Sequence, residues 1–509
     1  MGGTPDRTSV LFLPVVRGSA YDLDWTRDVL DGVKDACEEL GISALFPSTQ
    51  IGLHGLLGDL PDAQDFYAEW RPRMADIKGV IAFSSDFMRE RVIQDTLRRL
   101  PADVPAFLMV NNDCPADVAS GGGGDSLCGS LSVHHNARML GRPLLRSCRI
   151  DMDDPDCLRE FLSQYARLMD GIECLRNMRI GMVGTNPDSF ATTFTNQLKL
   201  FELGFSLHTY ELLTLWGDTV LAAQVPDGQD TYEGPFGEVR LWRPVAKDDP
   251  RVGEIVAQLR ETVAALPDDA RKVDAIARCF LWIQDVFEQD RIDAGAIHCW
   301  SEFPRFYGMA PCTVAMLSNL LLEKPVVCEQ DICHAVMAKL AWELTDEPGV
   351  ILDINNNGPD RRVFNAFHCS QTPPNWLAEP GRVGGWGSIE GAMAPEPFTG
   401  ISAATTSDDF AATVFHGRFL DRPAPERGGA GWAFVPNLQE VLKAIEAGGI
   451  HHFVALKGHL GGEVADVLRF RGLTVTDLSG DVPPAGEIEA HLPGLEGESD
   501  LPACRVFSC

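Results

Sequence analysis

Basic residues are scarce in this chain: 43 Lys and Arg stand against 73 Asp and Glu, a formal net charge of −30 over 509 residues. Such a surface repels phosphate backbones and anionic lipid, so neither nucleic acid nor a membrane surface is an expected partner. Long hydrophobic runs are missing too. No apolar stretch approaches a membrane span and residues 1–9 carry no signal-peptide core, which makes a cytoplasmic location the expectation. The 14 cysteines include no CxxC pair, and Cys37, Cys174 and Cys279 fall within apolar helical patterns, so buried free thiols are expected. A dinucleotide loop is also absent: Gly181, Gly184 and Gly204 lack the G-x-G-x-x-G spacing. The glycine-rich residues 120–124 follow no strand directly and lack a phosphate-binding Lys, and they read as a flexible connection.

What remains is an ordinary apolar fraction of 45% in a chain long enough for two to four domains. A strand over 10–16, broken only by Pro14, leads to an amphipathic helix over about 25–40 closed by Gly41. That unit of a parallel sheet recurs at 79–83 and 106–110. A second series starts with a strand at 178–183, followed by Gly184-Thr185-Asn186-Pro187. Apolar residues at Val273, Ile276, Ala277, Phe280, Ile283 and Phe287 predict a helix with one buried stripe. From Gly349 onward short strands alternate with Gly and Pro, the pattern of a β-rich, barrel-like domain. The expected fold is α/β: two doubly wound Rossmann-like α/β domains, 1–172 and 173–349, followed by a β-rich barrel-like C-terminal domain, 350–509.

Residues 326–368 concentrate the chemistry. Val326-Val327-Cys328 reads as a strand end followed by Glu329, Gln330 and Asp331, then a helix from Ile332 to about Leu344. A strand at 350–352 delivers Asp353 and runs into Asn355-Asn356-Asn357-Gly358, a turn signal. A third strand, 362–367, ends at His368. Glu329, Asp353 and His368 thus each follow a short apolar run, where a sheet presents side chains to a crevice. Carboxylate with imidazole is a ligand set for Mn, Co or Zn. Spacings of 24 and 15 residues do not by themselves require the three to meet.

The string Val-Val-Cys-Glu-Gln-Asp, the Asp353 strand and Phe367-His368-Cys369-Ser370 resemble the core of the L-fucose isomerase and L-arabinose isomerase superfamily. Cys299-Trp300 with Pro311-Cys312, and Glu390-Gly391 with Pro397-Phe398-Thr399-Gly400, extend the resemblance. It implies that Glu329 and Asp353 bind a divalent ion, Mn2+ in the family, and act as the acid/base pair on a sugar. In the family a histidine seven residues ahead of the histidine of a Gly-His pair binds the Mn, and His452 stands so to His459. His368, His459, His451, Trp300 and Asn186 are then candidates for substrate contact, with Phe190 beside Asn186. His368 is a ligand in the arabinose branch, whereas His298 and Trp300 fit equally well as core residues. The resemblance further implies a homotrimer or homohexamer, because family members complete their pocket with a neighbouring subunit.

Aldose-ketose interconversion removes a weakly acidic proton beside a carbonyl, which calls for a base and for positive charge at the developing enediolate. A small sugar is the substrate class this implies. A metal-dependent lyase or isomerase of a non-sugar substrate on the same fold is the alternative. A non-catalytic sugar-binding protein is a second.

Overall fold

The computed structural model describes residues 9–17, 23–84, 86–112, 124–151, 155–217, 231–234, 237–240, 245, 249–358, 360–423 and 428–492. Of the glycine-rich loop 120–124, all but Gly124 lies outside them. The chain divides into two compact units, 1–170 and 171–509. Among the described residues no helix is long and apolar enough to cross a membrane.

The first unit is a parallel sheet of β1 (Ser9–Pro14), β2 (Ala44–Leu45), β3 (Ile77–Ser84), β4 (Ala106–Asn111) and β5 (Arg146–Ile150). Its order is β2-β1-β3-β4-β5, a doubly wound arrangement. Every residue of β4 is buried, as expected of a strand covered on both faces. The strand expected over 10–16 stops at Pro14, where the ladder loses an N–H donor.

The second unit begins with a parallel sheet of β6 (Arg179–Val183), β7 (Ser206–Tyr210), β10 (Ala294–Ile297) and β11 (Val326–Val327), ordered β11-β10-β6-β7. A hairpin of β8 (Thr231–Gly234) and β9 (Gly237–Arg240) intervenes in the chain. Gly181 and Gly295 are register partners on β6 and β10. A Cβ on either would come within 2.8 Å or 2.5 Å of the Phe287 ring, so these glycines let the helix Ala270–Gln289 approach the sheet. That helix buries Arg278, Cys279, Leu281 and Trp282 besides the predicted stripe, because it is covered on more than one side.

The rest of the unit is a β-barrel. Its strands are β12 (Val350–Asn357), β13 (Val363–His368), β16 (Pro397–Thr405), β17 (Phe410–Phe419), β18 (Gly429–Phe434) and β19 (His452–Lys457). Antiparallel pairing runs β12-β13-β18-β17-β16-β19 and returns to β12, closing a six-stranded ring. The short strands β14 (Arg382–Val383) and β15 (Ile389–Ala392) extend the sheet from β18, and β20 (Thr474–Leu478) pairs with β17. Phe398 lies 4.7 Å from Phe419 and 6.0 Å from Phe453, centroid to centroid, and Phe415 lies 5.6 Å from Phe453.

A second strand end differs from the expectation. Strand β12 continues through Asn355–Asn357, with Asn355 bulged and Asn356 and Asn357 paired to β13, so Asp353 sits mid-strand and the turn waits until Gly358. Cross-strand pairing has overridden the turn preference of Asn. Strand β10 stops at Ile297, leaving His298, Cys299 and Trp300 beyond its tip.

Candidate metal centre

Past β11 the backbone turns sharply. Glu329 and Gln330 have φ of +61° and +57°, a left-handed conformation uncommon for residues with a Cβ. Neighbours hold it there. The Thr193 hydroxyl donates to the Glu329 carbonyl at 3.0 Å, and the Asn186 amide donates to the Gln330 carbonyl at 3.4 Å. Gln330 donates from its side chain to the Gly184 carbonyl at 3.2 Å. The Glu329 carboxylate, 5% exposed, accepts the Trp300 indole N–H on Oε1 at 3.0 Å. Its Oε2 lies 3.4 Å from His452 Nε2.

Asp331 caps the helix Ile332–Thr345, with Oδ1 accepting the His334 backbone N–H at 3.1 Å. Its Oδ2 is 2.7 Å from Nδ1 of both His334 and His452. His334 Nε2 accepts the Ala403 backbone N–H at 3.3 Å, which places the His334 proton on Nδ1. His452 likewise donates from Nδ1 to Asp331, and its Nε2 is turned into the cluster. This is the support a metal-binding imidazole ordinarily has, a carboxylate fixing its orientation from behind.

Strands β12 and β19 pair with Asp353 directly opposite His452. Leu352 and Phe453 join the barrel's apolar core, so by strand alternation Asp353 and His452 occupy the other face. Asp353 Oδ1 is 3.1 Å from His452 Nε2. His368 ends β13 with its ring centroid 5.7 Å from that of His452, and its Nδ1 is 3.6 Å from Cys369 Sγ.

Four atoms of this cluster, Glu329 Oε2, Asp353 Oδ1, His368 Nε2 and His452 Nε2, are buried without a hydrogen-bond partner. Each such group costs about 1–3 kcal/mol of desolvation when left unsatisfied. Four together, from two carboxylates and two imidazoles, fit the donor set of a divalent ion. Burial pushes both carboxyl groups up, but His452 and His368 outweigh it and hold Glu329 and Asp353 below their ordinary values. Burial lowers the two histidines, yet Asp331, Asp353 and Glu329 keep His452 well above its usual range. Cys369, Asp353 and Glu329 raise His368 to about 9 against the same burial.

Glu329, Asp353, His368 and His452 therefore come together. His451 stands at the rim, with Nε2 3.6 Å from Asp353 Oδ1 and its side chain 42% exposed. Trp300 touches the cluster through Glu329, and its ring lies 5.6 Å from that of Phe190. Asn186 spends its amide on Thr193 and Gln330, so it braces the turn behind Glu329. His298 is engaged with the Thr185 and Trp300 carbonyls and with Glu302. His459 is not brought there: it lies beyond Lys457, at the end of β19 opposite His452. Asp331 and His334 were missed as site residues. The signal available was an N-cap Asp with His three residues on, just before an apolar helix.

The fold and the cluster define an α/β protein with a barrel domain and a candidate metal centre. Residues 19–176 match the family described as Fucose/sulfoquinovose isomerase, N-terminal domain. The sulfoquinovose isomerase of Priestia aryabhattai is 25% identical over 320 residues, covering 60% of this chain and 63% of that protein. The sulfoquinovose isomerase of Alkalicoccus urumqiensis is 23% identical over 371 residues, 70% of this chain and 76% of that protein. The match thus spans less than two thirds of the first relative's length. These matches support a fucose isomerase-like family for the chain, at low identity.

Proposed function

We propose that the chain is a metal-dependent aldose-ketose isomerase acting on a small sugar through an enediolate. The observation that carries this reading is the set of four buried atoms on Glu329, Asp353, His368 and His452 that lie together with none of them in a hydrogen bond. Glu329, Asp353 and His452 would hold the ion, with His368 beside them, and Mn2+, the ion of the family resemblance, is the reference for assay. A bound divalent ion supplies positive charge where the enediolate develops.

The residues do the rest. Glu329 and Asp353 are the two carboxylates able to take a proton from one sugar carbon and return it to the next. The Trp300 indole occupies Glu329 Oε1 and so fixes which oxygen faces the cluster. Phe190 and Trp300 offer an apolar wall for the C–H face of a sugar, and His451 offers a ring nitrogen to its hydroxyls. The relatives carry the name sulfoquinovose isomerase, which makes sulfoquinovose the first sugar to test. A homotrimer or homohexamer belongs to the same reading. Leu127, Leu131 and Met139, exposed along one helix of the first unit, suit a contact between copies. So does a cytoplasmic location, which fits the free thiols of the described cysteines.

The test is metal analysis of the purified chain, followed by a screen of aldoses and ketoses in deuterated water. Deuterium entering C1 or C2 in a metal-dependent manner supports the reading. Metal binding with a different product would move the chain to a lyase or another isomerase.

A further inference from the structure

We propose that Cys369 is a metal ligand, so that this centre combines carboxylate, imidazole and thiolate and gains part of its affinity for Zn2+ or Co2+ from sulfur. The proposal rests on reading the cluster as a metal centre. A carboxylate oxygen of Glu329, a ring nitrogen of His368 and Cys369 Sγ all lie within 4.8 Å of one another, as do the corresponding atoms of Asp353, His368 and His452. Two ligands on opposite sides of an ion bound at about 2.0–2.3 Å are about 4.0–4.6 Å apart, so each trio is on the scale of one coordination sphere. His368 Nδ1 lies 3.6 Å from the sulfur while its Nε2 is the atom left without a hydrogen bond, so the link to the other donors runs through Glu329, which reaches both the sulfur and, at 3.4 Å, His452 Nε2.

The surroundings single out this thiol. Cys299, Cys312 and Cys328 form a buried cluster, and Cys369 packs against it as the partly exposed member. Cys299 Sγ already accepts the Glu329 backbone N–H at 3.3 Å. Among the described cysteines only Cys369 joins a ligand trio. Both of its trio partners, Glu329 and His368, carry buried atoms without a hydrogen-bond partner. Binding follows ordinary thiol chemistry: the S–H proton leaves to solvent as the sulfur–metal bond forms. Zn2+ and Co2+ bind more tightly than Mn2+ even at nitrogen and oxygen sites, so the mark of sulfur is how far that preference changes when the sulfur is removed.

The experiment loads the full chain with Co2+ and records its near-ultraviolet and visible spectrum. We expect a sulfur-to-cobalt charge-transfer band in the wild type that disappears in Cys369→Ser while cobalt remains bound. The ratio of Zn2+ to Mn2+ affinity should also fall by at least about tenfold in that variant, since losing even an outer-shell partner costs on the order of 10 to 100-fold. Cobalt bound without the band, or a band that survives Cys369→Ser, overturns the sulfur assignment and leaves the metal centre standing. Failure of the wild type to bind cobalt overturns both. Should Cys369→Ser not fold, alkylation of the wild type with and without Zn2+ decides: protection of Cys369 with continued labelling of exposed Cys128 supports the assignment, and equal labelling of Cys369 refutes it.

Discussion

The barrel carries two pairs of neighbouring histidines, and they differ in what their ring nitrogens are left to do. At one end of β19, His451 and His452 have centroids 4.3 Å apart, and His452 Nε2 is buried with no hydrogen-bond partner. Past the other end, His416 and His459 stack at 4.7 Å and 22°. There His416 Nε2 accepts the Gly461 N–H at 2.9 Å, its Nδ1 bonds the Gly480 carbonyl at 3.0 Å, and His459 Nε2 approaches the Gly417 carbonyl at 3.3 Å. Five residues of strand, Phe453 to Lys457, lie between the pairs, roughly 17 Å at the usual rise. Closeness of two imidazoles therefore says little about metal binding. A nitrogen left unspent in the interior, beside carboxylates, says more.

The sharpest way to break this contrast is at Glu329. Glu329→Gln should fold normally and lose more than about 10²-fold in turnover, the usual reach of a general base; near-normal turnover would remove Glu329 from the chemistry. His452→Ala should come next, losing metal and activity together, as metal content after dialysis will tell. Asp331→Asn should weaken metal affinity by about 10 to 100-fold, because the amide no longer holds the His452 ring by its charge. An unchanged affinity in titration would make Asp331 a helix cap alone.

Asp331 also sets a pH test. Burial raises its carboxyl, but His334 and His452 more than reverse this and hold it below the ordinary range. A depressed carboxyl stabilises the fold above the unfolded value near 3.9, and that stabilisation is lost as pH falls through the folded value. Stability of Asp331→Asn should consequently fall less steeply than wild type below about pH 4, as urea titrations across that range can measure. The smallest effect is expected at His459. Its replacement by Ala should leave metal content unchanged and stability within about 0.5 kcal/mol. A metal-free His459→Ala protein would reverse the assignment of the two pairs.

The sequence announced the donors better than their surroundings. Glu329, Asp353, His368 and His452 carry side chains that suit few roles other than a polar centre, and they do converge. The supporting residues were hidden because their roles depend on pairing. Asp331 matters because β19 brings His452 to it from 121 residues away. Asn186, a candidate sugar contact, also braces a turn whose left-handed angles no residue type there signals. Strand lengths were blurred for the same reason: Asn355–Asn357 favour a turn locally and become strand only through β13.

The two oxygens of Asp331 have a further consequence. One is fastened to the first turn of a helix and the other to a barrel strand, so a single carboxylate latches the α/β layer to the barrel within this unit. Tightening at His452 is then transmitted to the helix start. Metal bound at the proposed centre should slow hydrogen exchange at the amides of His334 and Ala335, the first turn that Asp331 caps, making the helix start a gauge of occupancy.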